Sequence, residues 1–219
     1  MKKIFQLFVV MFLLAACNSN SSKLSSSMTP SVHDAVLTDS TGLETATLAG
    51  GCFWKMDACY QQLVGVKKVE VGYAGGHTPN PTYEQVCTDE TGHAETVQVV
   101  FDPKIISFRD IVDIFWNIHD PTVLNREGYD VGEDYRSEVF YRSETQRQTA
   151  EMVKDSLLKS GLWSKIVTPI TPYTNFYKAE TYHQDYYNQH PNESYTNGVV
   201  RPKVEHFIEK YGKLLRKNP

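Results

Sequence analysis

The chain has 219 residues and 41% hydrophobic content, with 26 acidic against 22 basic side chains and a formal charge of −4. That length supports one domain with a core of its own, and the acidic balance, with no long basic patch, argues against binding nucleic acid by phosphate neutralisation. Four cysteines are too few for a disulfide-stapled miniprotein of this length, and ordinary glycine and proline contents set aside collagen-like or wholly disordered chains.

Met1 to Cys17 reads MKKIFQLFVVMFLLAAC, two lysines ahead of an apolar run from Ile4 to Ala16 broken only by Gln6. The run is shorter than the roughly 20 apolar residues of a membrane-spanning helix and has the layout of a secretory signal. Leu14-Ala15-Ala16-Cys17 resembles the lipobox of bacterial lipoproteins. The resemblance implies removal of residues 1–16, lipid on Cys17, and an extracytoplasmic protein of the bacterial cell envelope anchored to a membrane. An ordinary signal peptide is the alternative. Residues 17–42 are rich in Ser and Thr and too poor in large apolar side chains to order themselves. As a flexible tether they would span about 25–30 Å root-mean-square. The domain is expected over 43–219.

Within it, Glu44 to Leu48 reads as a strand running into Ala49-Gly50-Gly51, and Phe53 to Leu63 as a helix with Phe53, Met56, Tyr60 and Leu63 on one face. Val66 to Tyr73 alternates as a strand, Ala74 to Pro81 is a loop, and Thr82 to Cys87 a helical turn. Ala94 to Phe101 is the clearest strand. Ser107 with Asp110 has the spacing of a helix start, and that helix runs to about Ile118. Ser137 to Tyr141 is a strand, Ser143 with Gln146 opens a helix ending near Gly161, Ile166 to Ile170 is a further strand, and Ala179 to Gln189 a short aromatic helix. The order βαββαβ followed by αβα predicts an α+β two-layer sandwich, a ferredoxin-like core with a mixed or antiparallel sheet and extra C-terminal helix and coil.

Cys52 stands where a strand meets a helix N-terminus, a place whose N–H groups and dipole favour the nucleophilic thiolate. From position alone, a reactive thiol and an inert core cysteine both stay open. The cysteines and histidines include no C-x₂-C or H-x₃-H pair of structural-zinc type, so no metal site is expected; no cofactor is assigned.

Gly51-Cys52-Phe53-Trp54 resembles the GCFW signature of the A-type peptide methionine sulfoxide reductases. The likeness continues through Gly72-Tyr73-Ala74-Gly75-Gly76, Pro79-Asn80-Pro81-Thr82-Tyr83, Gly92-His93-Ala94-Glu95 and the loop from Asp130 through Gly132 to Tyr135-Arg136-Ser137, in order over most of the chain from about Leu48 to Lys203. The resemblance implies thiol-dependent reduction of methionine-(S)-sulfoxide to methionine, both free and in oxidised proteins and peptides, which are thereby repaired. It makes Cys52 the nucleophile that becomes a sulfenic acid and Glu95 the acid. Tyr83 and Tyr135 become donors to the sulfoxide oxygen, and Asp130 a polarising group. Phe53 and Trp54 become a cage for the S-methyl group. A monomer served by a thioredoxin-like or other external thiol is expected. The rival expectation is a lipoprotein module that docks peptides without turnover.

Three positions depart from the family pattern. Asp57 replaces the common Glu, Tyr129 stands where many members have Asn, and Ser194-Tyr195-Thr196 replaces a segment that carries a resolving cysteine. No cysteine follows Cys87, so internal disulfide recycling is not expected. Cys59 lies two helical turns from Cys52, about 10 Å, too far for a disulfide; Cys87 is left open.

Overall fold

The computed structural model describes residues 41–216. The signal-like segment, Cys17 and nearly all of the Ser/Thr-rich tether lie outside these residues. The elements in chain order are β1 (Glu44–Gly50), α1 (Phe53–Tyr60), β2 (Val66–Ala74), α2 (Tyr83–Val86), β3 (Ala94–Phe101), α3 (Phe108–Ile118), β4 (Arg126–Glu127), β5 (Asp130–Val131), β6 (Ser137–Tyr141), α4 (Glu144–Lys159), β7 (Ile170–Pro172), β8 (Phe176–Lys178), α5 (Tyr186–Gln189) and α6 (Arg201–Tyr211).

Strands β6-β1-β3-β2 lie side by side and antiparallel, the strand order of a ferredoxin-like core. Strand β7 adds parallel to β6, and β8 adds antiparallel to β2, which makes a mixed six-stranded sheet. Pro172, which cannot donate to a ladder, ends the edge strand β7. Leu48, Val71, Tyr73, Val97, Val99 and Val139 from the sheet form one core with Met56 and Tyr60 of α1 and Ile111, Phe115 and Trp116 of α3. Ala49, Ala74, Ala94 and Phe140 form a smaller cluster with Tyr173 and Phe176.

The capping pair Ser107–Asp110 opens α3 as its sequence spacing predicts, and Thr82 with Gln85 does the same for α2. Gln146 departs from the reciprocal pattern. Ser143 caps its N–H, but the Gln146 side chain ties α4 to β1 through the Thr45 carbonyl at 3.0 Å.

The C-terminal third differs most from the sequence reading. The strand expected over 166–170 begins only at Ile170, where pairing with β6 begins. The helix expected over 179–189 breaks into a 3₁₀ turn, Thr181–His183, and the short α5, because Asp185 takes a left-handed conformation with φ 54°. Asp57 Oδ2 accepts the Asp185 N–H at 3.0 Å, and Gln184 clamps both backbone groups of Val71. The aromatic segment is thus held to α1 and β2 by side chains remote in sequence. Helix α6, with Pro202 in its first turn and Val204 and Phe207 buried, was absent from the sequence reading.

Candidate active site

Antiparallel pairing sets the site. The end of β1 lies beside the starts of β3 and β6, with Ala49 opposite Thr96 and Gly50 opposite Ser137. Cys52, Glu95 and the Tyr135 segment therefore meet at one end of the sheet. Gly51 has φ +73, a turn that a side chain would strain. It places Cys52 at the N-cap of α1, 6% exposed.

Cys52, Trp54, Tyr83, Glu95, Asp130, Tyr135, Tyr186, Glu193 and Tyr195 line a cleft of about 300 Å³. Two other hollows, of about 350 and 420 Å³, lie between α6 and the end of α3 and among the end of α1, α5, α6 and the Leu215-Arg216 segment, and no cysteine lines either. Chemistry, not volume, distinguishes the cleft.

Each side chain in it has a local cause. Glu180 accepts the Tyr83 N–H at 3.0 Å and the Tyr73 hydroxyl at 2.8 Å, which seats α2 against β2. Asp89 Oδ1 accepts the N–H groups of Glu133 and Asp134 and so caps the 3₁₀ turn that carries Tyr135. His93 binds the 76–78 loop to β3: its Nδ1 accepts the Gly76 N–H at 3.0 Å, and its Nε2–H donates to the Thr78 carbonyl at 2.8 Å. Trp54 donates Nε1–H to His183 at 3.2 Å, and Tyr186 stacks on its indole 3.8 Å away. The two rings form one wall.

Glu95, 3% exposed, accepts the Phe53 N–H at 2.9 Å. Burial, with smaller contributions from Asp134 and Asp130, pushes its carboxyl up to about 8, so it is protonated at neutral pH. Burial and the neighbouring Glu95 push the Cys52 thiol up to about 12. Cys52 therefore rests as a protonated thiol, although its place at a helix N-terminus favours the thiolate. The N–H groups of Trp54 and Lys55 do face the sulfur, but desolvation outweighs them. The resting site holds a neutral thiol beside a neutral acid.

The structure brings together Cys52, Trp54, Tyr83, Glu95, Asp130 and Tyr135. Phe53 is the exception. Its ring is 1% exposed, packs on Trp54, Tyr73 and His183, and does not line the cleft. Successive helical residues diverge by about 100°, so a turn that presents Trp54 to the cleft sends Phe53 inward. Its N–H, rather than its ring, reaches the site.

Three lining residues were missed. Tyr195 donates its hydroxyl to Asp130 Oδ2 at 2.6 Å and lies within hydrogen-bonding reach of the Cys52 sulfur. Tyr186 and Glu193 come from the same C-terminal stretch. Position just before Thr196 was the available signal for Tyr195; Tyr186 falls within the stretch expected as a short aromatic helix, which gave it no role at the site.

A profile of the family described as "Peptide methionine sulfoxide reductase" matches residues 44–215. The chain is 51% identical over 170 residues to the peptide methionine sulfoxide reductase MsrA of Sulfolobus acidocaldarius, covering 77% of this chain and 96% of that protein. It is 47% identical over 192 residues to the MsrA of Deinococcus radiodurans, covering 87% and 93%. Among solved structures, reduced Mxr1 of Saccharomyces cerevisiae matches at TM-score 0.65 and 35% identity, covering 73% of this chain and 92% of that one. Methionine sulfoxide reductase A of Corynebacterium diphtheriae matches at TM-score 0.64 and 35% identity, covering 74% and 82%.

Proposed function

The chain belongs to the peptide methionine sulfoxide reductase family, and from that premise we propose that it reduces methionine sulfoxide in oxidised proteins through Cys52. The observation that carries this reading is the pairing of a buried thiol with a carboxyl kept protonated to about pH 8 in one aromatic-walled cleft. Reduction needs a soft nucleophile on sulfur and a proton on the departing oxygen. The Cys52 sulfur attacks the sulfoxide sulfur while Glu95 protonates the oxygen. Methionine leaves, the oxygen ends on Cys52 as a sulfenic acid, and Glu95 recovers a proton from the thiol. Two equivalents of an external thiol then return Cys–SH, with one disulfide and one water as products.

Tyr83 and Tyr135 donate to the sulfoxide oxygen as its charge grows. Trp54, with Tyr186 stacked on it, receives the S-methyl group. The family resemblance supports the (S)-epimer as substrate. External recycling is supported by two placements: Thr196 stands, fully buried, where a resolving cysteine would be, and Cys59 is 1% exposed in the core. Cys87, exposed and hydrogen-bonded to Tyr83, is the internal alternative. A thioredoxin-like dithiol is the reductant we favour. Membrane anchorage rests on the lipobox resemblance of Leu14 to Cys17 alone; among the described residues no helix is long and apolar enough to cross a membrane.

The test is to incubate the protein with a methionine-(S)-sulfoxide peptide and a dithiol and weigh the peptide. Loss of one oxygen, abolished in Cys52→Ser, is expected. Binding without mass loss would favour the docking module. One turnover without reductant should leave Cys52 trappable by dimedone. A Cys52–Cys87 disulfide instead would refute external recycling while sparing the reductase reading.

A further inference from the structure

The turn that carries Cys52 is also gripped by a buried charged cluster that does not line the cleft. Lys55, 1% exposed, donates its ammonium to the Gly50 carbonyl at 3.0 Å and to Glu127 Oε1 at 2.9 Å. The same carboxylate oxygen accepts the Lys203 ammonium of α6 at 2.7 Å, and Glu127 Oε2 accepts the Asp120 N–H at 2.9 Å. A side chain on Gly51 would overlap the Cβ and Cγ of Glu127, so the glutamate packs directly on the turn. The hairpin of β4 and β5 makes this geometry possible. Glu127 and Asp130 are paired residues on one face of the ribbon, one reaching the back of the turn and the other the cleft.

A buried ion pair is weak ground for stability, because neutral side chains of similar shape often fold as well. What apolar side chains would lack here is a donor on the Gly50 carbonyl. That carbonyl belongs to the last residue of β1, two residues before Cys52.

We propose that Glu127 is a positioning residue for the reaction: held between Lys55 and Lys203, it fixes the Lys55 ammonium on the Gly50 carbonyl and, through that turn, the Cys52 sulfur against its acid. The proposal rests on Cys52 being the nucleophile. It also gives the C-terminal helix a task, since Lys203 brings α6 to the back of the reacting residue.

The test is the double variant Lys55→Met, Glu127→Gln, assayed with a methionine-sulfoxide peptide and excess dithiol. It removes both buried charges together and keeps an acceptor for the Asp120 N–H. The expected result is a wild-type melting temperature and KM with kcat lowered about 10–100-fold, the order of loss for a misplaced reacting group. A merely structural pair would recover kcat along with stability, so wild-type kcat in the double variant overturns the proposal. Should the double variant fail to fold, Lys203→Met carries the test from the edge of the cluster, where Lys203 is 36% exposed. A several-fold loss of kcat at unchanged KM supports the proposal, and unchanged kcat overturns it. Absence of turnover in the wild type would overturn both this proposal and the reductase reading.

Discussion

Glu95 and Glu127 sit on either side of the turn that carries Cys52, 3% and 5% exposed, and are held in opposite states. Burial pushes Glu95 up to about 8, because its nearby charges are the carboxylates of Asp134 and Asp130 and only one N–H, from Phe53, favours ionisation. Burial opposes the charge on Glu127 too, yet Lys55, the Asp120 N–H and Lys203 bring it down to about 2. Depth alone therefore does not decide whether a carboxyl is an acid or an anion; the partners that enter with it do. In front of the turn the protein keeps a transferable proton. Behind the turn it keeps a fixed charge.

The strongest way to break this comparison is to remove the proton in front. Glu95→Gln retains an acceptor for the Phe53 N–H but cannot act as a general acid. The reduction rate should fall about 10²–10⁴-fold, with the Cys52 thiol still present and alkylatable. A near-normal rate would move the acid elsewhere, Asp130 first. A pH profile sharpens the same point. Wild-type kcat should decline as pH rises through about 8, where Glu95 loses its proton, toward the slow and flat profile of Glu95→Gln. A rate that instead climbs through this range would mean that thiolate formation, not acid assistance, limits turnover.

How much of this was legible beforehand follows the range of the interactions. Strand β3 and the capped helix α3 were readable because alternation and the Ser107–Asp110 spacing are local signals. Cys52, Trp54 and Glu95 were placed by motif. The break at Asp185 was not readable, because it depends on an Asp57 carboxylate 128 residues away. The resting state of Cys52, left open by its position, was not readable for a related reason. Helix position is visible in sequence, but the desolvation that outweighs it comes from the assembled walls of the cleft. Glu127 carries no local signal, because its role depends on folding that sets Lys55 and Lys203 on the same oxygen.

A smaller effect is expected at Tyr195, whose hydroxyl stands between Asp130 and the Cys52 sulfur. Tyr195→Phe keeps the ring on the cleft wall and removes a hydrogen bond to a charged acceptor, worth about 1.5–3 kcal/mol. If that bond serves the transition state, kcat should fall roughly 10–100-fold with little change in KM. A change in KM alone would make Tyr195 a docking residue.

The smallest effect is on stability against pH, and there the two glutamates should pull in opposite directions. Glu127 has a folded-state pKa below its ordinary value. Its contribution is complete above the unfolded value near 4.5 and is lost as pH falls toward 2. Glu95 has a folded-state pKa above its ordinary value. The fold tolerates its neutral form best, so its contribution is complete below about 4.5 and is lost as pH rises through about 8. Melting temperatures across pH 3–9 separate the two. Glu95→Gln should flatten the decline on the alkaline side and leave the acid side unchanged. Lys55→Met, Glu127→Gln should flatten the acid side and leave the alkaline decline in place. If Glu95→Gln instead alters only the acid limb, Glu95 is ionised in the folded protein at neutral pH, and the contrast across the turn collapses.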